Sequence, residues 1–381
     1  MVMKRLADIN FYDGITIDPL KSPDETYELY SVPSYDNQYP EIIKGSDIGS
    51  SKLIVEENDV LICKINPRIN RVWVVKHNTE NPLLASSEWI VVRNHDIDPG
   101  YLKWYFSSPT FRIQLVSQVA GIGGSLTRAQ PKQVSTYSVP ILSFDEQKKV
   151  TETLDKLTNL ISLRKKQLAK LDEIVKARFI EMFGDPFTNE KGWSIKKLGE
   201  LSTKITDGVH AKPNYAIQGK PFISVVNITK GFVNFDNCKF VSDKDYKKMI
   251  QSTHPEKGDV LYTKVGTYGI PAYVDIDEDF CLYVSVCLIK PNHTKINSRF
   301  LSISMGMPYI KRQADTRIRG IGVPDLHLNQ IREFDVICPH LELQKKFVDY
   351  FHQVDKSKKT IQKNLETLET LKKALMQQYF G

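Results

Sequence analysis

Gln147-Lys148-Lys149-Val150 opens a stretch that returns 197 residues later as Gln344-Lys345-Lys346-Phe347. The register then runs without a gap to Phe183-Gly184 in the first copy and Phe380-Gly381 in the second. In the first copy Val150, Leu154, Leu157, Ile161, Leu168, Leu171, Val175 and Met182 fall on alternating steps of four and three, interrupted by Arg164 and Arg178. In the second, Phe347, Phe351, Val354, Ile361, Leu365, Leu368, Leu375 and Tyr379 do the same, interrupted by Lys358 and Lys372. Neither stretch has an interior Gly or Pro. Apolar residues held at a and d spacing over about five heptads predict a coiled-coil seam rather than the face of an ordinary surface helix. Ser143 with Glu146 predicts a capping box at the first start, and Gly184 before Asp185-Pro186 predicts a stop. Each helix could pack on its own domain alone, but two seams of equal length in one chain are natural partners.

The echo continues outside the helices at a spacing close to 200 residues. Met3-Lys4-Arg5-Leu6 answers Ile195-Lys196-Lys197-Leu198, and Asp59-Val60-Leu61 with Lys64 answers Asp259-Val260-Leu261 with Lys264. Tyr101-Leu102 and Pro109 return as Phe300-Leu301 and Pro308, Gly121-Ile122-Gly123 as Gly320-Ile321-Gly322, and Gln133-Val134 as Gln330-Ile331. So many echoes in one order mark an internal duplication. The expected organisation is a domain over 1–143, a helix over 144–184, a second domain over 185–340 and a second helix over 341–381. Two near-identical units tend to associate about a pseudo-twofold axis, which makes the helices antiparallel. A helix of about 38 residues spans roughly 57 Å, so the expectation is an α+β chain with two β-rich α/β domains at the ends of a stiff rod.

Composition narrows the class. A chain of 381 residues, 41% apolar and 25% charged, has the balance of a globular protein with two cores of ordinary size. No run of about eighteen apolar residues predicts a membrane span, and Met1 to Asn10 lack the layout of a signal peptide. Five cysteines without a C-x-x-C pair fit a reducing cytoplasm and argue against zinc or a disulfide framework. The four segments carry net charges of −2, +2, +4 and +3. That footprint is weak: it admits nucleic acid without requiring it.

In each half an apolar β-run breaks into a polar loop. Val60–Cys63 leads into Lys64, Asn66, Pro67, Arg68, Asn70 and Arg71, then Val72–Val75; Val260–Thr263 leads into Lys264, Gly266, Thr267, Tyr268 and Gly269. Strand–loop–strand predicts a hairpin with basic and amide side chains at its tip. Lys and Arg suit phosphates or guanine edges and Asn pairs with adenine, so Lys64, Asn66, Arg68, Asn70, Arg71, Lys264, Thr267 and Tyr268 are the candidates near bases. Solvated hairpin tips are the competing reading of either loop alone; recurrence at the same place favours function. A second surface follows the Gly-Ile-Gly repeats. Gly124, Ser125, Thr127 and Arg128 in one half, and Arg317 and Arg319 in the other, suit phosphate, although tight turns would account for the glycines equally well. Asp207-Gly208-Val209-His210 with Lys212 is a polar loop of the second half alone; His210 and Lys212 join the DNA-binding candidates of that half, although His210 reads more readily as a satisfied loop histidine than as a catalyst or ligand.

Catalytic motifs are missing. There is no G-x-x-x-x-G-K-[ST] phosphate loop and no F-x-G-x-G with Asn-Pro-Pro-aromatic of an amino-methyltransferase. The eight histidines lack H-E-x-x-H spacing. The chain therefore reads as a binding protein without metal or cofactor of its own.

Taken together, the layout resembles the specificity (S) subunit of type I restriction–modification systems, and the resemblance covers the whole chain. That family carries two target-recognition domains, each followed by a long helix. Its Ile-Pro-Leu-Pro-Pro-Leu-Glu-Glu-Gln-like approach to the helix reads Val139-Pro140-Ile141-Leu142-Ser143-Phe144-Asp145-Glu146-Gln147 here, and Val336-Ile337-Cys338-Pro339-His340-Leu341-Glu342-Leu343-Gln344 in the second copy. The prolines are partly lost. A Gly-Asp-Val-Leu motif is intact at Gly258–Leu261 and opens with Asn58 in the first half. The resemblance implies a non-catalytic, cytoplasmic subunit that reads bipartite double-stranded DNA, one part per domain. Its paired helices, with Leu154, Leu157, Ile161, Leu168, Leu171, Val354, Ile361, Leu365, Leu368 and Leu375 in the seam, would set the gap between the half-sites. Roughly 57 Å corresponds to about one and a half turns of B-DNA. It also implies two methyltransferase (M) subunits using S-adenosylmethionine on adenine, and motor-nuclease (R) subunits using ATP and Mg. A specificity module of another methylase or phage-defence complex, a scaffold with no DNA role, and a standalone enzyme with unfamiliar motifs remain as alternatives.

Overall fold

The computed structural model describes residues 2–117, 127–318 and 322–381, and the backbone alone of residues 119 and 120. It is a mixed helix-and-sheet protein that divides into two compact units, residues 1–166 with 362–381, and residues 167–361.

The first unit is built on a three-stranded antiparallel sheet, β1 (Val60–Cys63) between β2 (Val72–Val74) and β3 (Trp89–Val92). All four residues of β1 are buried. Side chains alternate along a strand, so Val60 and Ile62 enter one core with Leu6, Tyr101, Phe106 and Phe111, while Leu61 and Cys63 enter another with Tyr30, Trp73 and Trp89. Burial on both faces is what makes Val60-Leu61-Ile62-Cys63 read as an unbroken apolar run. A five-stranded sheet lies beyond, ordered Thr16–Ile17, Lys52–Ile54, Leu83–Ala85, Thr26–Tyr30 and Glu41–Lys44, with one parallel pair. The strand Val2–Arg5 pairs with Ser138–Ile141. From there the chain enters α1 (Phe144–Phe183).

The second unit is likewise built on an antiparallel sheet. Its main sheet runs β4 (Ser202–Asp207), β7 (Val286–Pro291), β5 (Val260–Thr263) and β6 (Pro271–Tyr273), with β5 again fully buried. Val260 and Tyr262 face one core and Leu261 another. Ile195–Lys197 pairs with Asp335–Ile337 before α2 (Leu341–Phe380).

Several bonds recur atom for atom. Buried Gln147 accepts from Asp98 N at 2.8 Å and donates to Leu142 O at 2.9 Å; buried Gln344 accepts from Asn297 N at 2.8 Å and donates to Pro339 O at 2.7 Å. Asp98 and Asn297 in turn cap the helices Pro99–Phe106 and Ser298–Met305, accepting from Tyr101 N and Phe300 N. The aspartate before each central strand is structural as well. Asp59 accepts from Glu56 N and takes two bonds from Arg93, at 2.8 and 2.7 Å, and Asp259 accepts from Glu256 N and pairs with Lys290 at 2.7 Å.

Both long helices are continuous over 40 residues. Glu146 holds the start of α1 by accepting from Ser143 N and Ser143 Oγ, and Gly184, at φ +74°, ends it. Within the first unit the start of α1 meets the end of α2: Lys165 pairs with Glu369 at 2.8 Å, and Val150 and Leu154 share a core with Met376 and Phe380. Within the second unit the sense is the same, with Asp172 paired to Lys358 and Phe179 and Phe183 packed on Phe347 and Phe300. Leu154, Leu157, Ile161, Ile361 and Leu365 are buried, while Leu168, Leu171, Val354, Leu368 and Leu375 are half-buried. Among the described residues, no helix is long and apolar enough to cross a membrane.

Candidate nucleic-acid interface

Each hairpin loop is held by one backbone scheme. After β1, Lys64 N donates to Glu88 O, Asn66 N to Thr127 O and Ala129 N to Lys64 O; after β5, Lys264 N donates to Ser285 O, Gly266 N to Pro324 O and Leu326 N to Lys264 O. The loops therefore lie on a fixed frame rather than as free tips. Asn66 and Asn70 are left-handed, at φ +48° and +51°, and their counterparts are glycines, Gly266 at +73° and Gly269 at +89°. Only Gly, Asn and Asp enter that region routinely. These asparagines thus answer a backbone demand, which is a different reason for their presence from pairing with adenine. Asn70 is committed further, donating from Nδ2 to Phe106 O at 2.9 Å.

The candidate side chains of the loops fall into three situations. Arg68, Thr267 and Lys212 are exposed, and Arg68 and Thr267 make no side-chain bond among the described residues. Lys212 lies 5.9 Å from the centre of the Tyr215 ring. Lys64, Arg71 and Tyr268 are half-buried. Burial lowers the Lys64 ammonium below its ordinary pKa, with Glu88 pulling the other way. Arg71 Nε is buried with no hydrogen-bond partner among the described residues. Tyr268 donates to Asp315 Oδ1 at 2.8 Å under the Lys311 ammonium, 4.1 Å from its ring.

Lys264 is the exception among the base-side candidates. It is 4% exposed, with Nζ 3.2 Å from Asp207 and 3.7 Å from Asp325. An ammonium so enclosed orders its own carboxylates and is withdrawn from a base edge, so the expectation of an open basic tip needs correcting there. His210, 3.3 Å from Asp207, is exposed beside it. Together these residues line a cleft of about 700 Å³ with Val265, Val284, His327 and Asn329. A smaller cleft of about 350 Å³ in the first unit is lined by Lys64 with Tyr12, Trp89 and Pro131.

On the second surface, Thr127 is buried and its Oγ1 has no partner among the described residues. Arg128 is exposed and paired to Glu88 at 2.9 Å. Arg317 folds back to Gln313 O at 3.1 Å, closing the last turn of its helix, so its guanidinium is engaged in the fold. Gly124, Ser125, Arg319 and most of the Gly-Ile-Gly repeats lie outside the described residues. Among the described residues there is no group of three or more His, Cys, Asp and Glu able to hold a metal ion.

Sequence reasoning missed Glu88 and Asp325, and named Asp207 only as the start of the His210 loop, not as a carboxylate that sets the charge around Lys264. None stands in a motif. Their signal was positional: each faces a loop lysine or arginine only once the strands are paired.

Residues 190–370 match the type I restriction modification DNA specificity domain. The type I restriction enzyme MjaVIII specificity subunit of Methanocaldococcus jannaschii is 22% identical over 346 residues, covering 86% of this chain and 80% of the relative. The EcoKI specificity subunit of Escherichia coli is 23% identical over 178 residues, 43% of this chain and 37% of that one. Among solved structures, a chain from a study of assembly and conformational transition of the type I R-M system aligns over 100% of this chain and 97% of its own, with TM-score 0.61 and 17% identity. The S subunit of a type I restriction–modification system from M. genitalium gives TM-score 0.59 at 12% identity, over 100% and 96%. These structural likenesses establish the shared fold.

Proposed function

We propose, on the premise that the chain belongs to the type I restriction–modification specificity family, that it is the DNA-reading subunit of such a complex and performs no chemistry itself. Each unit reads one half of a bipartite double-stranded target. The two long helices pair antiparallel as a coiled coil, set the gap between the half-sites, and dock two methyltransferase subunits. S-adenosylmethionine, ATP and Mg belong to those subunits and to the motor-nuclease subunits, in the cytoplasm.

One observation carries this reading. The loops after β1 and β5 share their backbone bonds while presenting different side chains: Arg68 and Arg71 in one, Thr267 and Tyr268 in the other. A constant frame with variable lettering is what two readers of unlike half-sites require, because discrimination comes from a few side-chain contacts to base edges.

Co-expression with the cognate methyltransferase, followed by genome-wide mapping of N6-methyladenine, tests it. The expected result is a split motif of two short unlike halves with a fixed gap, of which exchanging residues 1–143 alters one half only. A stable complex without sequence-dependent methylation would favour the scaffold alternative.

A further inference from the structure

The strand-like bridge beside each loop joins equivalent positions: Ile65 pairs with Arg128, and Val265 with Asp325. The flanking bonds, Asn66 N to Thr127 O and Ala129 N to Lys64 O in one unit, Gly266 N to Pro324 O and Leu326 N to Lys264 O in the other, fix the correspondence. Arg128 and Asp325 therefore occupy one place in the frame with opposite charge.

Each is anchored by a single kind of partner and retains hydrogen-bonding capacity of one kind. Arg128 is 57% exposed and gives Nη2 to Glu88 at 2.9 Å, and the rest of its donor fork has no partner among the described residues. Asp325 is 37% exposed and lies 3.7 Å from Lys264 Nζ, beyond hydrogen-bond distance. Among the described residues its carboxylate accepts no hydrogen bond; Oδ1, the oxygen nearest Lys264, is buried, and the exposure of the side chain lies on its other atoms. It lines the 700 Å³ cleft together with His210, His327 and Asn329.

Resting on the DNA-specificity reading above, we propose that this position sets the base-edge chemistry each unit accepts. Arg128 donates to an acceptor edge, the O6 and N7 of guanine. Asp325 accepts from an exocyclic amine in the major groove, N4 of cytosine or N6 of adenine. A guanidinium has no acceptor and a carboxylate has no donor, so Asp325 rejects the O6 and N7 edge of guanine and Arg128 rejects the N4 amine of cytosine, each as well as binding its own base. The assignment moves Arg128 from the phosphate backbone, where its sequence context had put it, to a base.

The test maps N6-methyladenine made by the whole complex of this chain with its methyltransferase, comparing wild type with Arg128→Ala, Asp325→Ala and Asp325→Asn. Arg128→Ala is expected to lower discrimination about tenfold at one base of one half-site, and Asp325→Ala to do so in the other half alone. Asp325→Asn keeps an acceptor oxygen and is expected to retain part of the preference. The untouched half-site, read in the same molecules, reports that the complex has folded. If the variants keep both half-sites intact, or if both Asp325 variants lose every site uniformly, the inference is overturned while the DNA-specificity reading stands. Wild-type complex with no sequence-dependent methylation overturns that reading, and the inference with it.

Discussion

Lys64 and Lys264 stand at the same point of the two units, at the end of the central buried strand, and their backbone N–H and C=O groups make equivalent bonds. Their ammonium groups differ. Lys64 is half-buried without an ion-pair partner among the described residues, and burial lowers its pKa. Lys264 is almost wholly buried between Asp207 and Asp325. The position keeps its lysine and its backbone, while the charges around it have been rearranged. The lesson is that frame and lettering vary separately in this chain.

The frame should respond alike in both units. Phe183 and Phe380 end their helices at equivalent points, and each is buried in an aromatic cluster, with Phe179, Phe300 and Phe347 in one case and Tyr101 and Tyr105 in the other. Phe183→Ala and Phe380→Ala are each expected to destabilise their own unit by about 3–5 kcal/mol, seen as lost amide protection in that unit by hydrogen exchange. A large effect in one and none in the other would break the equivalence. Next come the aspartates before the central strands. Asp59→Ala should cost about 2–3 kcal/mol and Asp259→Ala about 1–2 kcal/mol in urea unfolding, because Arg93 binds through two nitrogens and Lys290 through one. The reverse order would show that fork geometry does not decide the difference.

Much of this was legible from the chain alone. Heptads without Gly or Pro announce 40-residue helices, and fully buried strands such as Val60–Cys63 announce themselves as apolar runs. The outer sheets were not legible, since strands like Thr16–Ile17 and Cys281–Leu282 are too short for any period to show. The helix ends were half legible. Leu375 and Tyr379 read as further seam residues, yet they pack against a domain core. The site was least legible at Arg128 and Asp325. The glycine repeats Gly121 and Gly320 are 199 residues apart, whereas Gln133 and Gln330 are 197 apart. Two residues drop out between those landmarks, so only the backbone bridge reveals which residue faces Arg128's place.

The lettering should respond unequally. Lys264→Met leaves Asp207 and Asp325 without their shared cation and is expected to cost about 2 kcal/mol in urea unfolding. Lys64→Met removes a half-buried charge that has no ion-pair partner among the described residues and should fall within about 0.5 kcal/mol of wild type, or stabilise. Equal costs would mean that Lys64 has a partner in the folded protein after all. Arg68→Ala, at an exposed side chain free of bonds among the described residues, should leave stability unchanged and relax only the first half-site, about tenfold at one base. Uniform loss over all sequences would reassign Arg68 to phosphate.

The smallest expected effect gives the sharpest separation of frame from lettering. Asn66 sits at φ +48°, where the second unit has Gly266 at +73°. If the asparagine is present for its backbone, Asn66→Gly should change stability by only a few tenths of a kcal/mol, while Asn66→Ala should cost about 1–2 kcal/mol for a side chain forced into the left-handed region. On the same account Asn66→Gly leaves the first half-site intact in methylation mapping, whereas Asn66→Ala weakens it only as far as it unsettles the loop. Loss of one base preference in Asn66→Gly at unchanged stability would instead make the amide a reader of adenine, and would place one letter within the frame itself.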